Sequence, residues 1–213
     1  MKAALFDLDG VVFNTEPQYT VFWSSIFKEY LNDGTIAEKI KGSTLVEIYE
    51  NYFNGQQDVQ EEITQRLNDF EKHMHFDYIK GFPEYITGLR RNGVKTAVVT
   101  SSNSAKMSCV YAQRPEMRQY FDTILTSEDF AESKPHPDCY LKGAAYFGVK
   151  PEDCVGLEDS FNGLKAVRAS GAFTLGLATT NSREAIQPLS DYVIDDYRGF
   201  SFADLQRIVE NAK

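Results

Sequence analysis

Short apolar runs alternate along the chain with stretches of helical periodicity, a pattern typical of α/β proteins. The runs of strand length are residues 3–6, 94–99, 121–125, 153–157, 173–177 and 192–194. Helical stretches cover residues 104–113, 138–147, 162–169 and 202–211, and a further one ends near Arg91. Strands that alternate with helices in this way favour a doubly wound parallel sheet with right-handed crossovers.

The first connection is too long for an ordinary crossover, because the first strand candidate ends near residue 6 and the second begins at residue 94. Thr44 followed by Glu47 forms a capping-box pattern within this segment. The segment carries three apolar stripes at helical spacing: Trp23, Ile26, Phe27, Tyr30 and Leu31; Leu45, Ile48, Tyr49, Tyr52 and Phe53; and Val59, Ile63, Leu67, Phe70 and Met74. We predict a helical domain over residues 15–79, inserted into a main domain of residues 1–14 and 80–213. The alternative is that these helices pack on one face of the sheet.

Two aspartates end the first strand candidate, with Gly10 directly after them to let the backbone turn. Ligands of open α/β sheets bind beyond the carboxyl ends of the strands, which places Asp7 and Asp9 at the mouth of the crevice. Residues two apart in a strand point to the same side, and two adjacent carboxylates repel each other unless a cation neutralises them. The simpler interpretation is a polar strand end with an Asp-Gly turn.

Later strand candidates also end in polar groups. Thr100-Ser-Ser-Asn103 offers hydroxyls and amides ahead of a helix, which suits a phosphate cradle or an ordinary helix cap. Lys134 stands between Ser133 and Pro135, and a loop lysine is usually only solvated. A second acidic pair, Glu158 and Asp159, could face the first across the crevice. Four converging carboxylates need a hard divalent cation, and the combination indicates a magnesium-dependent phosphoryl site.

Composition narrows the class of partner. The 213 residues are 42% hydrophobic and 25% charged, as in ordinary globular proteins, and carry a net charge of −9. This charge argues against nucleic acid or an anionic membrane surface as a partner. Three widely spaced cysteines, a first strand that begins at residue 3 and the absence of any apolar run of membrane-spanning length lead us to expect a cytoplasmic protein without a signal peptide.

Four segments together resemble the motifs of the haloacid dehalogenase superfamily, in order and spacing. They are Phe6-Asp-Leu-Asp-Gly-Val11, Val99-Thr-Ser-Ser102, Ser133-Lys-Pro-His-Pro-Asp138 and Leu157-Glu-Asp-Ser160. The likeness covers nearly the whole chain and is greatest to the phosphatase and β-phosphoglucomutase-like branch, which has a helical cap inserted after the first motif. It implies a Rossmann-like sheet of order 3-2-1-4-5 with a mobile cap.

The resemblance also implies roles for particular residues. Asp7 would be the nucleophile that forms an aspartyl phosphate, and Asp9 the general acid and base. Mg²⁺ would be held by the Asp7 carboxylate, the Asp9 carbonyl and Asp159, with Glu158 nearby. Phosphate and substrate groups would be bound by two further sets of residues: Thr100, Lys134, Gly10, Ser101 and Ser102 in the main domain, and the specificity loop Lys41, Gly42, Ser43 and Thr44 in the cap.

The same resemblance separates alternative activities. A dehalogenase would need neither Asp9 nor magnesium, so the intact Asp7-Leu-Asp9 argues against dehalogenation. The mutases carry a hinge histidine and a cap arginine where this chain has Tyr19 and Leu45. We therefore expect a monomeric phosphatase acting on a small sugar or polyol phosphate. A sugar phosphomutase is the main alternative, and a binding protein on a retired hydrolase scaffold is another, although the nucleophile and the lysine are both retained.

Overall fold

A computed structural model describes residues 1–212 and contains one six-stranded, fully parallel sheet with the order β3-β2-β1-β4-β5-β6. The strands are β1 (Ala3–Phe6), β2 (Lys95–Val99), β3 (Thr123–Leu125), β4 (Cys154–Glu158), β5 (Phe173–Leu177) and β6 (Tyr192–Ile194). The α/β prediction is confirmed. The sheet extends the predicted order 3-2-1-4-5 by one edge strand, which coincides with the sixth apolar run.

The first strand lies at the centre of the sheet and is buried on both faces. Alternate residues of β1 enter different hydrophobic clusters: Ala4 and Phe6 pack on one face, and Ala3 and Leu5 on the other. Phe6 pairs in register with residues of both β2 and β4. The residues that directly follow β1 therefore lie between the ends of two neighbouring strands, and the pairing with both strands holds their backbone in place.

Helices cover both faces of this sheet. The larger cluster receives apolar side chains from α5 (Phe82–Arg91), α6 (Ser104–Gln113), α7 (Met117–Tyr120) and α11 (Phe202–Asn211). The opposite face packs against α8 (Asp138–Tyr146) and α9 (Phe161–Ser170), while α10 (Arg183–Ile186) lies at the β6 side of the sheet. Among residues 1–212, no helix combines the length and the apolar character needed to cross a membrane.

Four of the five helices in the long first connection share a hydrophobic cluster of their own, whereas α5 packs against the sheet. The four are α1 (Glu16–Leu31), α2 (Ile36–Lys39), α3 (Leu45–Tyr52) and α4 (Gln57–His73). Aromatic residues dominate the cluster, with the rings of Phe27 and Phe53 stacked at 5.9 Å. The three predicted stripes fall on α1, α3 and α4, whereas α2 was not predicted. Met74 lies beyond α4 and packs against the sheet instead.

The two chain segments that lead into and out of these helices run side by side. The amide of Asn14 donates to the carbonyl of Asp77 at 2.8 Å, and the amide of Ile79 donates to the carbonyl of Val12 at 2.9 Å. The four-helix segment is thus attached to the main sheet at one place, next to the carboxyl end of β1.

Candidate active site

The ends of β1 and β4 bring acidic side chains from distant parts of the sequence to one edge of the sheet. Asp7 and Asp9 follow β1, and Asp159 follows β4. Gly10 has a φ of 73°, and a Cβ atom there would lie 1.9 Å from Oδ2 of Asp159. Only glycine both turns the chain here and leaves room for that carboxylate, so Gly10 makes the juxtaposition of the acidic groups possible.

One buried lysine links the ends of three strands, β1, β2 and β4. The Lys134 ammonium lies 2.6 Å from Oδ1 of Asp7 and 2.6 Å from Oε1 of Glu158, and it also donates to the carbonyl of Val99 at 3.2 Å. The hydroxyl of Tyr140 donates to the same Glu158 oxygen at 2.9 Å. Burial disfavours the ammonium, but the two carboxylates outweigh this effect and raise the pKa of Lys134. Lys134 is therefore a fixed cation beside Asp7.

The carboxylate of Asp9 is surrounded by three donors. Thr15 donates to Oδ1 at 2.6 Å, while Ser102 and Lys106 donate to Oδ2 at 3.1 and 2.5 Å. Burial acts to raise the pKa of Asp9, but the Lys106 charge and the three hydrogen bonds prevail and lower it. This arrangement holds Asp9 as an ionised carboxylate.

Lys106 was not predicted as a site residue. In the structure Lys106 lies on the buried face of α6 together with Met107 and Val110, where an apolar residue is expected, and this burial could not be read from the sequence. A role for Lys106 in the site could be inferred only from the structure, which places Asp9 beside it.

Three carboxylates form a cluster suited to a divalent cation. One oxygen from each of Asp7, Glu158 and Asp159 lies within 4.8 Å of the others. Burial raises the pKa of Asp7 to about 7, and burial together with the charges of Glu158 and Asp7 raises the pKa of Asp159 well above its ordinary value. Neighbouring buried carboxylates resist ionisation because their negative charges repel each other. Mg²⁺ prefers carboxylate oxygens as ligands and would neutralise this charge, so the residues fit such an ion.

These strand ends open into a cavity of about 510 Å³ between the sheet and the four-helix segment. Most of the predicted site residues line it: Asp7, Asp9, Lys41, Gly42, Ser43, Thr44, Thr100, Ser101, Ser102, Lys134 and Asp159. Gly10 and Glu158 are not among the lining residues. Gly10 lies behind Asp159, and Glu158 is turned into the protein towards Lys134.

The predicted specificity loop touches the main domain directly. Gly42, with a φ of 75°, approaches Ser160 so closely that a Cβ atom would lie 2.5 Å from the serine Cβ. The predicted capping box at Thr44 is confirmed, with Glu47 at its third position. The Glu47 carboxylate also accepts two hydrogen bonds from the amide of Asn162, at 2.8 and 2.9 Å. The loop is thus held over the strand ends.

The wall of the cavity opposite the strand ends comes from α1 and α4, and the sequence analysis did not include it in the site. Thr64, Asn68 and Glu71 lie on one side of α4, three and four residues apart, and face the cavity. The hydroxyl of Tyr19 donates to Oε1 of Glu71 at 2.7 Å. Burial and the nearby Asp9 charge raise the pKa of Glu16, also on this wall, to about 7. The wall thus combines acidic groups and hydrogen-bond acceptors with the apolar side chains of Trp23 and Leu67.

Comparison with protein families identifies the class. The family model described as haloacid dehalogenase-like hydrolase matches residues 4–177. The chain belongs to this family, and phosphatases are among its relatives.

Individual relatives place the chain within the family. It is 28% identical over 191 residues to the β-phosphoglucomutase of Bacillus subtilis strain 168, with 83% of each chain covered. It is 28% identical over 172 residues to the fructose-1-phosphate phosphatase of Escherichia coli K12, covering 78% of this chain and 91% of that protein. A family IA, variant 3 hydrolase from Entamoeba histolytica shares the fold, with a TM-score of 0.86 at 20% identity over 99% of this chain and 100% of the other.

Proposed function

We propose that this protein is a Mg²⁺-dependent phosphatase that hydrolyses a small sugar or polyol phosphate through an aspartyl phosphate on Asp7. The observation that carries the proposal is the placement of Asp7 and Asp9 side by side at the floor of the cavity between the sheet and the four-helix segment. Lys134 lies 2.6 Å from one of these carboxylates and Lys106 lies 2.5 Å from the other. A nucleophile, a proton-transfer group and fixed cations are the groups that phosphoryl transfer requires.

The chemistry proceeds in two steps. A carboxylate oxygen of Asp7 attacks phosphorus and the bond to the leaving oxygen breaks. Asp9 is ionised at rest, so it first takes the proton of a singly protonated phosphate ester and then gives this proton to the leaving oxygen. Water then attacks the aspartyl phosphate and gives its proton to Asp9, and the bond between phosphorus and Asp7 breaks. Inorganic phosphate takes that proton from Asp9 and leaves, and both Asp7 and Asp9 are again carboxylates. Lys134 and the Thr100 hydroxyl lie where they can stabilise negative charge on the phosphoryl oxygens.

Asp7, the Asp9 carbonyl and Asp159 would hold the magnesium ion, with Glu158 orienting Lys134 behind them. When bound, the ion supplies charge neutralisation between the carboxylates and the phosphoryl group. The chain itself fixes Asp159, since the Thr180 hydroxyl donates to its carboxylate and the Asn181 side-chain amide donates to its backbone carbonyl.

A neutral leaving group rich in hydroxyls fits the cavity better than a second anionic group. The lysines that line the cavity are already paired: Lys41 with Glu38, Lys106 with Asp9, and Lys134 with Asp7. The opposite wall presents Glu16 and Glu71, and burial raises the pKa of both. Their carboxyl groups can hydrogen-bond to hydroxyls, and they repel another phosphate or a carboxylate when they are ionised. The fructose-1-phosphate phosphatase among the relatives is consistent with this substrate class.

We further propose that residues 15–79 act as a cap that excludes bulk water and selects the leaving group. Support comes from the cavity, which has one wall from the strand ends and the other from α1, α4 and the loop before α3. The single attachment point beside β1 gives such a cap a place to hinge.

Hydrolysis is favoured over phosphoglucomutase activity because Tyr19 and Leu45 replace the histidine and arginine of the resembling mutases. To test both activities, the purified protein is incubated with Mg²⁺ and a panel of sugar, polyol, nucleotide and acid phosphates, with Asp7→Asn as the control. A second reaction contains β-glucose 1-phosphate and catalytic glucose 1,6-bisphosphate, with free phosphate and glucose 6-phosphate followed separately. We expect phosphate release without isomer; glucose 6-phosphate forming much faster than phosphate would establish the mutase instead.

A further inference from the structure

We propose that Lys106 is a positioning residue that holds the Asp9 carboxylate in the orientation needed to hydrolyse the aspartyl phosphate. The proposal rests on the function proposed above and adds to it a residue outside the four sequence motifs.

The contact between Lys106 and Asp9 is short and shielded. The ammonium lies 2.5 Å from Oδ2 of Asp9, and the lysine side chain is 2% exposed. Since the Thr15 and Ser102 hydroxyls engage the same carboxylate, Asp9 has donors on both oxygens. Rotation of the carboxylate would break at least one of these bonds.

Stability does not account for a lysine at this position. Desolvating an ammonium and a carboxylate costs several kcal/mol per ion, and a well-packed apolar residue is often at least as stabilising. The neighbours of Lys106 on the buried face of α6, Met107 and Val110, are apolar. A lysine here therefore indicates a requirement of the site.

Lys106 also connects the two halves of the cavity. It lies on α6 of the main domain, and its ammonium sits 4.8 Å from the centre of the Tyr19 ring on α1. Tyr19 in turn donates to Glu71 on α4. The orientation of Asp9 is thus supported by the sheet domain and by the four-helix segment together.

The two chemical steps depend on Asp9 differently, which allows a sharp test. With p-nitrophenyl phosphate the leaving oxygen needs no proton, so attack by Asp7 proceeds without help from Asp9. Attack by water always requires Asp9 to accept a proton. If the Asp9 carboxylate is no longer held in its orientation, the second step therefore becomes slower, whereas the rate of the first step with this substrate does not change.

The experiment compares wild type, Lys106→Met and Lys165→Met, an exposed lysine on α9, by rapid-mixing kinetics with p-nitrophenyl phosphate and Mg²⁺. For Lys106→Met we expect a burst of about one p-nitrophenol per enzyme at the wild-type rate, followed by a steady rate reduced at least about tenfold. KM should not rise. Lys165→Met should match wild type.

Lys106→Ala provides a second readout that a folding defect would not produce. Propylammonium chloride replaces the missing side-chain atoms and should restore the steady rate, whereas tetramethylammonium chloride at the same ionic strength should not. A steady rate equal to wild type in Lys106→Met, a slowed burst, or the absence of rescue by propylammonium would overturn the proposal. Failure of the proposed function is a separate result, since wild type would then release no phosphate with Mg²⁺.

Discussion

At the scale of single residues, the site is organised around an excess of buried negative charge. Asp7, Glu158 and Asp159 share the neighbourhood of one ammonium, Lys134. Burial raises the pKa of Asp7 to about 7, above the value of about 3.9 for an aspartate in an unfolded chain. The folded state therefore prefers the protonated carboxyl. Ionisation of Asp7 lowers stability progressively from pH 4 to pH 7, and the full cost is present above pH 7.

Asp7→Asn should abolish turnover, because an amide cannot form the acyl phosphate, yet stabilise the metal-free protein. At pH 8 we expect a gain on the order of 1 kcal/mol or more, which shrinks as the pH falls below 7. Thermal unfolding in EDTA and in Mg²⁺ measures this, and Mg²⁺ should raise the melting temperature of wild type more than that of the variant. An Asn variant that is less stable than wild type at pH 8 without metal would contradict this account of the cluster.

At the scale of elements, the N-terminus of α3 links helix formation to the enclosure of the cavity. Glu47 accepts from the backbone amide of Thr44 at 2.8 Å, which completes the capping box. The same carboxylate accepts from Asn162 on α9. One side chain therefore both stabilises α3 and ties the loop before it to the main domain.

Glu47→Ala and Asn162→Ala should separate these two effects. Glu47→Ala removes both the capping box of α3 and the hydrogen bonds to Asn162. It should therefore cost on the order of 1 kcal/mol of folding stability and raise KM. Asn162→Ala removes only the hydrogen bonds to Glu47, so KM should rise with a smaller change in melting temperature. Steady-state kinetics and thermal unfolding of both variants provide the check; an unchanged KM in both would show that this contact does not hold the loop over the substrate.

At the scale of the whole molecule, two hydrophobic cores meet at the cavity. Helices α1 to α4 pack around their own aromatic cluster, while Met74 and Phe76, just beyond α4, pack with the sheet. The sheet domain therefore retains its core side chains when the four helices are absent.

Replacement of residues 15–73 by a short Gly/Ser linker should leave a folded sheet domain, because Asn14 and Asp77 are already hydrogen-bonded neighbours. The variant lacks the hydrogen bond from Thr15 to Asp9, so it should hydrolyse aryl phosphates slowly. It also lacks the cavity wall from α1 and α4, so it should no longer prefer one sugar phosphate over another. Circular dichroism establishes folding, and kcat/KM over the phosphate panel establishes selectivity. Retention of the wild-type ranking would show that the sheet domain alone selects the substrate.

The strands, most of the helices, the insertion after β1 and the acidic strand ends could be predicted from the order of the amino acids. These features are local, because strand and helix periodicities and a motif such as Asp7-Leu-Asp9-Gly10 act over a few neighbouring residues. The convergence of the four motifs could also be predicted from the sequence, since parallel strands place their carboxyl ends at one edge of the sheet.

Only the tertiary structure decided which further side chains join that edge. Lys106 joins the site because the packing of α6 brings its ammonium to Asp9, and Glu71 joins it because α4 lies over the strand ends. The short helix α2 has too few residues to show a periodicity. Contacts such as that between Glu47 and Asn162 join residues 115 positions apart, and they depend on how helices pack, which no local pattern encodes.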